Sequence, residues 1–292
     1  MSNAAQPDRP VLVTGATGNT GRALVDALTR RGAPVRAMVR SGADRGKLPA
    51  GVPAVVADFD DPESIAAALT GAERAYLVTP SSEQAEDQQR RFADQAAKAG
   101  LGHLVVLSQL GAEEGSPVRF LRYHAAVEQH VRDFGIPYTF LRPNLFFQGL
   151  LTVAGSIAAE GRLYAPIGDA KVSAVDVRDI AAVAVAVLTG QGHEGQTYEI
   201  TGPEALSYHD VAATLSQVLG KPVRYIDVPP QAALESMRKA GMPEWNAAAV
   251  TEIYGAFATG AFAHTTNVMA QVTGRPPTRF EQFARDHAGL FR

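Results

Sequence analysis

The chain has 292 residues, 46% of them hydrophobic, with seven histidines, a net charge of −3 and no cysteine, enough apolar content for a large core divided between two lobes. Lack of cysteine excludes disulfides, thiolate nucleophiles and thiolate-bound zinc, while the interspersed charges form neither a basic stripe for nucleic acid nor a basic amphipathic face for a membrane. No run approaches the ~20 apolar residues of a membrane span and residues 1–9 are polar, so a flexible tail and a cytoplasmic location are expected.

The first element is the stretch Val11–Val25: an apolar strand, then glycines at 15, 18 and 21, then a helix starting near Asn19 with Leu24, Val25 and Leu28 on one face. Gly15 suits a tight turn off the strand, Gly18 lets a pyrophosphate approach the backbone, and Gly21 lets the helix pack closely on the sheet. A helix start also directs free N–H groups at an anion. Gly15, Thr17, Gly18, Asn19, Thr20 and Gly21 are therefore the expected phosphate cradle. The spacing is G-x-x-G-x-x-G, but the flanking strand and helix are what a βαβ dinucleotide unit requires.

Val35–Val39 reads as the second strand and Ala54–Ala57 as the third, followed by a helix capped by Asp61 with Pro62 in its first turn and closed by Gly71. Ala75–Thr79 is the fourth strand, Glu83–Ala99 a helix, His103–Ser108 the fifth strand, Arg119–Phe134 a helix and Tyr138–Arg142 the sixth strand. This alternation, with nearly continuous apolar strands, predicts an α/β fold: a doubly wound parallel Rossmann sheet. Beyond Pro143, Asn144–Ala159 reads as helical, and Lys171–Val177 as β-like before a helix over Arg178–Leu188. That part, about residues 171–190, is expected to return to the main sheet. Thr197–Thr201, Val223–Val228 and three or four helices up to His287 read as a smaller C-terminal α/β lobe. The expected division is residues 10–150 for the nucleotide domain and 151–292 for an interwoven, substrate-side lobe.

An NAD-type domain carries an acid at the end of its second strand to bind the ribose 2′-OH. Here the stretch is Arg36-Ala-Met-Val-Arg40, so Arg40 can clamp a 2′-phosphate and Lys47 can add a point charge, which favours NADPH. The alternative for each is a solvated surface charge. Ligands of such sheets sit at the carboxyl ends of the strands, which brings Thr79, Pro80, Ser108, Pro143 and Asn144 to one crevice. Phe146 and Phe147 either cover the nicotinamide or pack in the core. The scattered histidines offer no metal-ligand spacing, so no metal is expected, and hydride transfer from a nicotinamide needs no flavin.

With Thr14-Gly-Ala-Thr-Gly-Asn-Thr-Gly21, Val39-Arg40, Asp58-Phe59, Val78-Thr-Pro80, Leu107-Ser108, Tyr138-Thr-Phe-Leu-Arg-Pro-Asn144 and the late Thr273-Gly-Arg-Pro-Pro277, the chain resembles the NmrA-like branch of the atypical short-chain dehydrogenases/reductases. The resemblance implies an NADPH-dependent oxidoreductase passing hydride to a small, flat electrophile such as a quinone, azo compound or conjugated carbonyl. The same branch contains NAD(P)-sensing regulators that act through a protein partner, which is the alternative. It also implies that Asp58 and Phe59 border the adenine, unless Asp58 only orders its loop, and that Ser108 is the counterpart of the short-chain serine. Aligned on Gly135-Ile-Pro-Tyr-Thr139, His124 falls where such reductases carry lysine and Phe120 where they carry tyrosine, so the usual proton donor is missing. His124 and Glu128 are spaced i, i+4 and share a helix face, where the carboxylate is expected to hold one imidazole tautomer and raise its pKa. His124 then holds the ribose or relays a proton, or else is a structural histidine paired with Glu128.

Overall fold

The computed structural model describes residues 9–292, so the tail expected over residues 1–9 lies, except for Arg9, outside the described residues. The elements are, in order, β1 (Val11–Val13), α1 (Asn19–Arg30), β2 (Val35–Val39), β3 (Ala54–Val56), α2 (Pro62–Leu69), β4 (Arg74–Leu77), α3 (Ala85–Lys98), β5 (His103–Leu107), α4 (Arg119–Asp133) and β6 (Tyr138–Pro143). They continue with a 3-10 stretch (Phe147–Val153), α5 (Ala154–Glu160), β7 (Arg162–Ala165), α6 (Val177–Thr189), β8 (Gln196–Ile200), α7 (Tyr208–Leu219), β9 (Arg224–Asp227), α8 (Pro230–Lys239), α9 (Glu244–Ala258), α10 (Val268–Thr273) and α11 (Phe280–Asp286).

Seven strands form one sheet in the order β3-β2-β1-β4-β5-β6-β8, and the pairings β2 with β3, β1 with β2, β1 with β4, β4 with β5 and β5 with β6 are all parallel. The order reverses on either side of β1, so the switch point lies where β1 hands over to α1. Alternate strand residues Leu12, Met38, Leu77, Val106 and Phe140 are buried in one cluster with Ile65 of α2, Phe92 of α3 and Val127 of α4. Their neighbours Val11, Val13, Ala37, Tyr76 and Val105 are equally buried on the face that α1 and α6 contact. Burial on both faces is why these strands read as apolar runs. Arg74 donates from Nη1 to the carbonyls of Leu188 at 3.0 Å and Gly190 at 2.7 Å, satisfying the last turn of α6 and fixing it to the start of β4.

Two strand assignments differ from expectation. Thr197–Thr201, assigned above to the smaller lobe, lies almost wholly in β8, the edge strand beside β6, whereas Lys171–Val177 forms no strand. That segment makes only isolated bridges, Val172 with Leu206 and Val175 with Phe146. The helix expected over Asn144–Ala159 is a 3-10 stretch followed by α5, and β7 was not anticipated.

The chain clusters into two compact units. One holds the described residues up to Gly115 with Leu121–Arg142 and Val177–Glu199; the other holds Ser116–Phe120, Pro143–Asp176 and Ile200–Arg292. The second unit has its own small sheet, β7 parallel to β9, and its own aromatic core, in which Phe147 meets Phe280 and Phe283 at ring distances of 5.2 and 5.3 Å.

Candidate active site

The turn after β1 is built from backbone. Thr14 Oγ1 donates to the Val78 carbonyl at 2.9 Å and accepts from the Val78 N–H at 2.8 Å, locking the ends of β1 and β4 together. Gly15 then takes φ of +56°, and a side chain there would come within 2.6 Å of Val78 Cγ1. The Gly18 N–H closes the turn on the Gly15 carbonyl at 2.9 Å. At Gly21 a Cβ would lie 2.2 Å from that same carbonyl, so glycine here lets α1 sit directly on the turn. Gly18 caps α1 without any side-chain bond, and among the described residues the N–H groups of Asn19, Thr20 and Gly21 find no acceptor. Thr17, Gly18 and Asn19 are exposed, so these donors open outward in the manner of an anion site. Thr20 points its hydroxyl inward instead, hydrogen-bonded to the buried Tyr76 phenol.

At the end of β2, Arg40 is exposed and forms no hydrogen bond or ion pair among the described residues. Arg36, on the same strand, is tied to the carbonyls of Ala68 at 3.2 Å and Thr70 at 2.7 Å. Lys47 is engaged with Asp44 at 2.7 Å, a contact that holds the Asp44 carboxyl below its ordinary range. Asp58 accepts from the Asp60 N–H at 2.9 Å and so orders its own loop, and Phe59 packs against Phe92 with ring centroids 6.1 Å apart.

Beyond β4, Thr79 is buried and its Oγ1 accepts from Gln89 Nε2 at 2.9 Å, while Pro80 is exposed. Beyond β5, Ser108 is buried and donates to Glu128 Oε1 at 2.6 Å. Glu128 is 0% exposed and also accepts from Arg142 Nε at 2.8 Å, Arg142 Nη2 at 2.6 Å and Arg132 Nη2 at 2.9 Å. Its two oxygens thus take two donors each. The expected pairing of Glu128 with His124 is not formed, because the two guanidiniums and the serine occupy the carboxylate.

His124 is buried with Nδ1 lacking any partner among the described residues, and its ring lies 4.1 Å from that of Tyr123. Its pKa falls to about 3, through burial first and the nearby Arg142 charge second, the reverse of the expected rise. A neutral imidazole cannot relay protons as an imidazolium at neutral pH. Burial likewise pushes the Tyr123 phenol up to about 12, against a hydrogen bond to Ser81 that lowers it, so it is a poor acid. In the other unit, Phe120 packs edge-on to Trp245 at 5.6 Å, and the Arg119 guanidinium over the same indole pairs with Glu252 at 2.5 Å.

Of the residues expected at the end of β6, Asn144 is taken up by its own unit: Nδ2 donates to Ser173 Oγ at 2.9 Å and the Phe262 carbonyl at 3.0 Å, and Oδ1 accepts from the Leu145 N–H at 2.8 Å. Its side chain therefore has little left for a cofactor. Pro143 is buried, Phe146 half-buried, and Phe147 is core. Arg132, Arg142 and Gln89 were missed; the available signal was a glutamate on an otherwise apolar helix face, which demands buried cations. Among the described residues no group of three or more His, Asp or Glu side chains is placed to hold a metal, and no helix is long and apolar enough to cross a membrane. A separate hollow of about 830 Å³, lined in part by Glu73, Gln95 and Lys98, opens at the amino ends of β4 and β5, away from every expected site residue.

The profile of the NmrA-like family matches residues 7–284. An NAD(P)H azoreductase of Xenophilus azovorans is 39% identical over 282 residues, covering 96% of this chain and 99% of that protein. A (4-alkanoyl-5-oxo-2,5-dihydrofuran-3-yl)methyl phosphate reductase of Streptomyces griseus is also 39% identical over 282 residues, with the same coverage of each chain. The NADPH-dependent quinone oxidoreductase of Escherichia coli, solved in complex with NADPH, superposes with a TM-score of 0.86 at 27% identity, over 97% of this chain and 100% of that one. With a parallel sheet switching at β1, a glycine turn offering backbone donors and a match over nearly its whole length, the chain belongs to the NmrA-like family.

Proposed function

We propose that this NAD(P)H-dependent reductase uses NADPH, without flavin or metal, to reduce a flat electrophile: a quinone, an azo compound or a conjugated carbonyl. The observation that carries the cofactor reading is the turn after β1, whose unpartnered N–H groups at Asn19, Thr20 and Gly21 fit a diphosphate. Arg40, exposed and unpaired, fits the 2′-phosphate; Lys47 adds little while it is held by Asp44. Asp58, Phe59, Thr79 and Pro80 belong to the same proposed cofactor path. The bound nicotinamide supplies the hydride. The chain's own groups favour acceptors that need no protein acid: Tyr123 is too weak an acid, His124 is neutral, and Ser108 directs its proton to Glu128. Solvent then provides the proton that completes reduction. Azo and quinone relatives of high coverage support the same acceptor class.

The test is NADPH oxidation by purified, flavin-free protein with a naphthoquinone, an azo dye and an enone. Turnover with at least one is expected. Tight NADPH binding with no turnover on any of them would mark a nucleotide sensor instead.

A further inference from the structure

The geometry points to Ser108 as a hydrogen-bond acceptor toward the ligand, with Glu128 and Arg142 as the positioning residues that impose this polarity. The inference rests on the NADPH reading above. A hydroxyl has one proton and two lone pairs. Glu128 holds two donors on each oxygen, Ser108 and Arg142 Nε on one, Arg142 Nη2 and Arg132 Nη2 on the other. All four acceptor positions of a carboxylate are then filled, no position is left for a proton of its own, and the Ser108–Glu128 contact at 2.6 Å has its hydrogen from serine. The backbone keeps Ser108 in place, its N–H donating to the Leu141 carbonyl at 2.8 Å. Among the described residues nothing donates to Ser108 Oγ, which is only 4% exposed.

A buried hydroxyl whose proton is committed and whose lone pairs are open selects a donor. It cannot polarise a substrate carbonyl. The donor is an N–H or O–H of the ligand, either the carboxamide NH₂ of the nicotinamide or the hydroxyl of a hydroquinone product. Glu128→Gln reverses the polarity: the two Nη2 donors of Arg142 and Arg132 claim the amide oxygen, and the amide NH₂ takes the position shared by Ser108 and Arg142 Nε, which costs Arg142 Nε its acceptor and frees the serine proton to face the ligand.

Direct binding titrations without acceptor distinguish the sources, using NADPH and its 3-acetylpyridine analogue, in which methyl replaces the NH₂. If the carboxamide is the donor, the wild type prefers NADPH by about three- to tenfold, Ser108→Ala loses the preference and Glu128→Gln loses or inverts it. If the hydroquinone is the donor, that preference stays constant and product inhibition by hydroquinone weakens in both variants by a similar factor. A purely structural role for Glu128 would weaken both nucleotides equally, and Ser108→Ala, which leaves the Arg–Glu contacts intact, covers the case of a misfolded Glu128→Gln. Unchanged preference together with unchanged product inhibition overturns the Ser108 assignment alone. Failure of the wild type to bind NADPH overturns the cofactor reading as well.

Discussion

Two regions of the first unit lie beyond strand ends of the same sheet and work in opposite ways. The turn after β1 presents backbone donors with nothing on them, framed by glycines because a Cβ at 15 would collide with Val78 and one at 21 with the turn itself. The cluster where β5 and β6 end is made of side chains around the buried Glu128, whose oxygens take two donors each, and leaves the lone pairs of Ser108 open. Backbone recognition needs little beyond small residues and a helix start, so it adds little to stability. A buried carboxylate between two guanidiniums is a structural commitment as well as a chemical one.

Gly18→Val should separate the two most sharply. At φ −86° and ψ 178° valine fits the backbone, and its Cβ meets only the Gly15 carbonyl at 3.3 Å, so circular dichroism should stay native. Its branches would fill the anion's place, and titration should detect binding of neither NADPH nor NADH. Retained binding would put the nucleotide elsewhere.

Acid should act on the interior and not on the turn. Burial lowers the pKa of His124 to about 3 and of His103 to about 4, both below the ~6.5 of an unfolded chain. The unfolded state therefore takes up protons first, and stability, complete above about pH 6.5, declines as the pH falls toward 4 for His103 and 3 for His124. At pH ~5 each histidine should remove about 2 kcal/mol. Urea unfolding at neutral and acidic pH measures this, and a His103→Asn/His124→Asn variant should show a flatter profile. An equal slope in that variant would exclude the histidines as its source.

Glu128→Ala should destabilise by about 3 kcal/mol, toward the low end for a broken buried pair because Arg132 and Arg142 keep 36% and 20% of their side chains exposed. Nucleotide-phosphate contacts at the turn should survive at temperatures where the variant remains folded. The smallest effect is expected at Arg40→Ala: NADPH affinity should fall by about 2 kcal/mol while NADH changes little and the melting temperature not at all. Equal weakening of both nucleotides would remove Arg40 from the 2′-phosphate.

The same contrast explains what was legible in the sequence. Gly15, Gly18 and Gly21 act within one turn and helix, so their spacing carries their geometry. β1, β2 and β4 to β6 are buried on both faces and announce themselves as apolar runs. β8, Gln-Thr-Tyr-Glu-Ile, is an edge strand with only Ile200 buried, and looked like part of a lobe because nothing in its composition marks the sheet it joins. For His124 and Glu128 the local i, i+4 rule was overruled by residues distant in sequence: Ser108 and Arg142 arrive from β5 and β6 and win the carboxylate by charge and number of donors. Local rules fail at such junctions because buried charge is satisfied by whatever the fold delivers.

The carboxamide of Asn144 has a consequence for the order in which the protein is made. One of its donors goes to the carbonyl of Phe262, 118 residues later, and Ser173 beside it gives its hydroxyl hydrogen to the carbonyl of His264 at 2.6 Å. A nascent chain that has emerged only as far as Glu199 contains every segment of the first unit, but leaves Asn144 and Ser173 without these acceptors. The ribosome must therefore deliver residues 262–264 before the stretch after β6 can settle. Synthesis imposes a delay on the second unit that the first does not share.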